Sequence, residues 1–174
     1  EGEKIGEDCE ATEVKFTKLV DGKLTIEGVK GDHYEGELTN DNVTGLRIIY
    51  KEVETFPYRI TDFFPILQDL EISSSKMKLI VPEDFQEHGR LKKLNLFGNF
   101  ITTLPSGLFR YTPLLETVDF GYNRIKYIDV DIFDVVPNLH QAIFVKNICT
   151  GEESIQAYDR NDVQYFVETF IIRN

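Results

Sequence analysis

Apolar positions in the middle of this chain recur with a period of 24 residues. Aligned from Val43, the first column reads Val43, Leu67, Leu91, Leu115 and Leu139. The second reads Leu46, Leu70, Leu94, Val118 and Ala142, and the third Ile48, Ile72, Leu96, Phe120 and Phe144. No insertion interrupts the register. Within each line the apolar positions alternate with mixed ones, which predicts a short strand with one face turned inward. Two further columns follow, Val53, Met77, Ile101, Ile125 and Phe56, Ile80, Leu104, Ile128. Phe85, Phe109 and Phe133 share one position, where the first line has Thr61, and are expected to stack as a spine on the convex side. Pro65, Pro113 and Pro137 mark turns just before the next strand. A period of this length means stacked coils, each burying its apolar side against its neighbours.

Each line carries the segment L-x-x-L-x-L-x-x-N, with Asn99, Asn123 and Asn147 in the ninth place. An amide there can hydrogen-bond the backbone of adjacent coils, whose buried polar groups otherwise go unpaired. Ser75 can do so weakly and Lys51 poorly, so the first two repeats are less regular. A stack of this kind needs caps. The alternating stretch 13–29 surrounds Asp21-Gly22 and predicts a β-hairpin, while 30–42 reads as a polar loop. Val163, Phe166, Val167, Phe170 and Ile171 have helical spacing, with Asp159 or Asn161 as the N-cap. The fold class is therefore an α/β solenoid in three parts. An N-terminal cap with a β-hairpin spans 1–42, five 24-residue repeats span 43–149 with the last one partial, and a C-terminal capping helix spans 150–174.

The form N-x-I-x-x-L-P-x-x-L-F, from Asn99 to Phe109, resembles the leucine-rich repeats of animal extracellular proteins. Cys9, the hairpin, the run FPYRITDFFPILQDLEI and a terminal N-x-C ending at Cys149 together resemble short secreted leucine-rich-repeat proteins of insects, of the mosquito type. Some of these act in haemolymph immunity. The resemblance implies a right-handed horseshoe with short parallel strands, a secreted chain, and recognition of a protein. Caps in such families hold a disulfide each, whereas each cap here has one cysteine. Strands stacked about 4.8 Å apart place Cys9 and Cys149 roughly 20 Å from each other, beyond the reach of about 7 Å that a disulfide allows. Each is expected to be free, paired with another chain, or separated from a partner outside this sequence.

Charge narrows the partners. Thirty acidic residues against 19 basic ones give a net charge of −11 over 174 residues. Such a field repels nucleic-acid phosphates and anionic lipid, so no nucleic acid is expected. No apolar run approaches the roughly 20 residues of a membrane span. The polar first residues are not a signal peptide and read like the start of a mature chain. Asn42-Val43-Thr44 is an N-glycosylation sequon, which fits an extracellular location. The three histidines form no zinc spacing, nucleophile or phosphate-loop motifs are missing, and Asp129, Asp131 and Asp134 lack the calcium-loop pattern. No enzyme activity, catalytic residue, metal or cofactor is expected.

Binding is expected where the strands turn their other face outward, on the concave side. Partner contact is assigned to Arg47, Ile49, Tyr50, Glu71, Asn95, Phe97, Asp119, Tyr122, Ile143 and Val145, which mix exposed aromatic and aliphatic area with charge. Gly98 and Gly121 are expected to open space beside Phe97 and Tyr122. The function read from these features is recognition of a protein or glycoconjugate, in the setting of innate immunity. The alternative is an assembly component that forms a homodimer through its edges, caps or a free cysteine.

Overall fold

The computed structural model describes residues 10–11, 13–18, 24–30, 40–148, 156–157 and 159–166. Cys9, Cys149, His33, most of the 30–42 loop, the Asp21-Gly22 turn and the helical positions Val167, Phe170 and Ile171 lie outside them. The strands in chain order are β1 Glu10–Ala11, β2 Glu13–Lys18, β3 Leu24–Lys30, β4 Gly45–Ile49, β5 Asp69–Ser73 and β6 Lys93–Asn95. They continue with β7 Thr103–Leu104, β8 Thr117–Asp119, β9 Tyr127–Ile128, β10 Gln141–Ile143 and β11 Gln156–Ala157. Helices are short: α1 is Ile60–Phe63, α2 is Arg160–Phe166, and 3₁₀ turns cover Asn40–Asn42 and Pro82–Phe85.

β4, β5, β6, β8 and β10 form a parallel ladder in which each residue faces its counterpart one repeat on. Gly45 lies opposite Asp69, Asp69 opposite Lys93, Lys93 opposite Thr117, and Thr117 opposite Gln141. Parallel neighbours need a crossover, which the back half of every repeat supplies. That return limb has a narrow ladder of its own, with β7 paired to β9 and Thr55 bridged to Leu79. The inward columns are all buried, from Val43 at 0% exposed through Ile72 and Leu96 to Phe144 at 0%. Behind them the phenylalanines form the expected spine: Phe85 to Phe109 at 6.2 Å and Phe109 to Phe133 at 6.1 Å between ring centroids. Phe120 and Phe144, stacked at 5.5 Å, join it from the strand side. In the first repeat the spine is continued by Phe56, 5.0 Å from Phe85.

The asparagine ladder binds one coil to the next. Asn99 Nδ2 donates to the carbonyls of Ile72 (2.6 Å) and Leu96 (3.0 Å), while its Oδ1 accepts from the N–H groups of Ser75 and Met77. Asn123 and Asn147 repeat the arrangement one and two coils further on. Ser75 takes a reduced part, its hydroxyl donating to Ser73 O at 2.8 Å and reaching Ile48 O at 3.3 Å. Each coil turns just before this position through a left-handed residue: Tyr50, Ser74, Gly98, Tyr122 and Lys146 have φ between 50° and 68°.

Both sheet edges are covered, as exposed edges invite unwanted pairing. β1 adds in parallel to β4, and β11 adds antiparallel to β10. Neither two-residue strand was expected from the sequence. The alternating stretch pairs as the antiparallel β2–β3 hairpin and is tied to the first repeat by the Tyr58 N–H, which donates to Leu24 O at 2.6 Å. At the other end Asp159 is the cap of α2, its Oδ1 accepting from the Asp162 N–H at 2.9 Å, and Val163 is buried.

Candidate functional site

Alternation along the strands puts one set of side chains in the core and the other on the concave sheet face. Arg47 is exposed there, and Ile49, Glu71, Asn95, Phe97, Asp119, Ile143 and Val145 are half-buried; Tyr50 and Tyr122, 82% and 53% exposed, stand at the left-handed corners beyond β4 and β8. The face divides into two halves of different chemistry.

The half over β4–β6 is charged and self-neutralised. Arg47 Nε meets Glu71 at 2.8 Å, and Lys93 Nζ meets Asp69 at 3.3 Å, each pair spanning adjacent strands. Glu71 also accepts the Ser73 hydroxyl at 2.6 Å. Gly45 contributes no side chain, and a hollow of about 210 Å³ opens there between Arg47, Asp69, Glu71, Lys93 and Asn95. Gly45, Asp69 and Lys93 occupy the third strand position. This column faces outward like the assigned ones but is not among the residues to which partner contact is assigned, although its one glycine beside an acid and a base is a visible signal.

The half over β6–β10 is apolar. The Phe97 and Tyr122 rings lie 4.9 Å apart at 47°. Between Phe97 and Val145 sits Gly121, and the space above it is closed: an added Cβ would stand 3.1 Å from Val145 Cγ2, 3.2 Å from Phe97 Cδ2 and 3.0 Å from Asp119 Oδ1. At Gly98 an added Cβ would stand 3.0 Å from Ser74 Oγ. The space expected beside Phe97 and Tyr122 is therefore absent, because neighbouring side chains close over the two glycines. Asn95 and Asp119 serve the backbone here, accepting the Phe97 N–H at 3.0 Å and the Gly121 N–H at 2.7 Å. Burial raises the Asp119 carboxyl above its ordinary range; the Gly121 hydrogen bond opposes this and the charge of Glu71 adds to it. Tyr50 stands apart at the first repeat, while Ile143 ends β10 two residues before Val145.

Asn42 is exposed on its 3₁₀ turn just ahead of β4. Among the described residues no group of His, Cys, Asp and Glu is arranged to hold a metal ion, and no helix is long and apolar enough to cross a membrane.

No protein-family model matches the chain. The human leucine-rich repeats and immunoglobulin-like domains protein 2 is 34% identical to it over 101 residues, 58% of this chain. The structure superposes on Toll from the Toll–Spatzle complex, a molecular hub in Drosophila development and innate immunity, with a TM-score of 0.59 at 17% identity over 64% of this chain. The fold is a leucine-rich-repeat solenoid. It also superposes on the LRIM1/APL1C complex, with a TM-score of 0.56 at 25% identity over 60% of this chain. A further match is the TLR13–ssRNA13 complex, with a TM-score of 0.57 at 20% identity over 62% of this chain. The chain spans 9% of the human protein and 16%, 20% and 15% of the three structural matches in turn.

Proposed function

We propose that this chain is an extracellular, non-catalytic recognition module that binds a protein or glycoconjugate partner on its concave face, in the setting of innate immunity. The observation that carries the reading is the Phe97–Tyr122–Val145 patch. Three adjacent coils present aromatic and aliphatic area outward beside charged residues, the composition of a binding hot spot with a polar surround. The ion pairs over β4–β6 join exposed cations to half-buried carboxylates and add little stability, but they fix the direction in which a charged partner sits. A net charge of −11 disfavours nucleic acid despite the RNA complex among the structural matches. Toll is found in complex with Spatzle and LRIM1 with APL1C, which supports a protein partner here. The exposed Asn42 sequon supports secretion, and a mass shift on deglycosylation that Asn42→Gln removes is the expected outcome.

Capture from the extracellular fluid of the source tests the site. The Phe97→Ala/Tyr122→Ala variant is expected to retain its thermal unfolding midpoint and to lose the partner by at least about tenfold, as for a central aromatic pair. Tyr127→Ala, on the return limb and 71% exposed, should capture as wild type does. Equal loss in both variants, or none in either, removes the concave face from consideration.

A further inference from the structure

The return limb holds a cleft of about 470 Å³ between the back halves of the first two repeats. It lies where Thr61 interrupts the phenylalanine column and Phe56 takes over the spine. Phe85, Phe109 and Phe133 are buried, but the first repeat has Thr61 at this position, half-buried, and its hydroxyl donates across the opening to Glu87 at 3.0 Å. The cleft also departs from its neighbours in the column behind. Phe64 and Val136 are apolar there, and Thr112 satisfies its hydroxyl on Phe109 O at 3.2 Å. His88 takes the same place, lines the cleft, is only 6% exposed, and has no hydrogen-bond partner on either ring nitrogen among the described residues. The ring packs edge-on against Phe56 at 5.6 Å and Phe85 at 6.3 Å between centroids, yet leaves two buried nitrogens unsatisfied beside the cleft, which packing alone does not account for.

The lining is apolar at its base and acidic at its rim. Tyr58 and Leu79 are 53% and 57% exposed beside it. The carboxylates of Asp62, Glu83, Asp84 and Glu87 line it; Arg59 is paired with Asp62, Arg110 reaches in from the next repeat to Glu83, and Asp84 accepts the Val81 N–H, so four acids face two cations and the rim stays net acidic. Lysine and arginine match such a site, because an alkyl stem can lie on apolar surface while the charged head reaches the rim. A second copy of this acidic chain matches it poorly.

We propose that this cleft is a second binding site, independent of the concave face, and that it takes an arginine or lysine with an adjacent apolar residue from an extended segment of a partner protein. The test uses a capped leucine–arginine–leucine tripeptide, with the neutral citrulline peptide as control, followed by NMR on the His88 ring and the Thr61 and Glu87 amides. The arginine peptide should give saturable shifts at these three residues, and the citrulline peptide should bind at least about fivefold more weakly, as expected for a charge-directed contact. Glu83→Gln/Glu87→Gln should weaken the arginine peptide by a similar factor, and Thr61→Phe should fill the cleft and abolish binding. Phe97→Ala should leave it unchanged, which separates this site from the concave one. No saturable shift, equal binding of the two peptides, or binding unaffected by the double glutamine variant would overturn the proposal. The surface glutamine pair decides the matter even where Thr61→Phe does not fold.

Discussion

Asn99 joins two coils with one side chain, accepting from two buried N–H groups and donating to carbonyls in its own repeat and the one before. Truncation strands several buried polar groups at once. Asn99→Ala is expected to cost about 2–4 kcal/mol in urea unfolding, and Ser75→Ala, which loses fewer bonds, about 1 kcal/mol. Equal costs would mean that the ladder does not hold the coils together. His88 makes a different demand. Burial pushes its pKa down to about 4, against a smaller opposing pull from Glu87. The unfolded chain binds a proton below about pH 6.5 while the folded chain does not until about pH 4, so stability is present above this window and falls as the pH drops through it. Wild type should lose about 2–3 kcal/mol more than His88→Leu between pH 7.5 and 4.5, read from parallel denaturation curves. Parallel pH profiles for the two proteins would place the imidazole in water.

At the scale of elements, the inward strand positions were legible because each must be apolar, and the period of 24 makes five lines vouch for one another. The corners were not legible. Every coil turns through a left-handed residue, yet only Gly98 is a glycine, and Tyr50, Ser74, Tyr122 and Lys146 carry the same conformation with side chains. Tertiary pairing imposes the corner whatever the local preference. The edge strands β1 and β11 escaped notice for a related reason, since two residues cannot display a period. Glycine was also misleading at Gly121, where backbone angle is not at issue and the missing side chain lets Phe97 and Val145 close. Gly121→Ala should therefore cost about 1–2 kcal/mol by overpacking and displace the Phe97–Tyr122 ring pair. NMR contacts between the two rings that survive the substitution unchanged would show that the patch does not depend on this glycine.

Across the whole molecule, the sheet supplies two surfaces of opposite character on one rigid stack. Of the residues assigned from sequence, Arg47, Ile49, Glu71, Asn95, Phe97, Asp119, Ile143 and Val145 follow the outward parity of the strands, whereas Tyr50 and Tyr122 have the inward parity and reach the surface from left-handed corners. Their grouping into a neutralised charged half and an aromatic half depended on cross-strand contacts such as Arg47 with Glu71 and Phe97 with Tyr122. The return-limb cleft was signalled by Thr61 interrupting a phenylalanine column, but its volume and acidic rim depend on how two repeats diverge. The central claim is that recognition occurs at Phe97 and Tyr122. Oxidative footprinting of the chain, free and in complex with its captured partner, tests this most directly because it reads aromatic side chains one by one. Modification of Phe97 and Tyr122 is expected to fall by at least about threefold on binding, as water is excluded from an interface core, with Tyr127 unchanged. Protection of Tyr127 with Phe97 and Tyr122 still fully reactive would contradict the account.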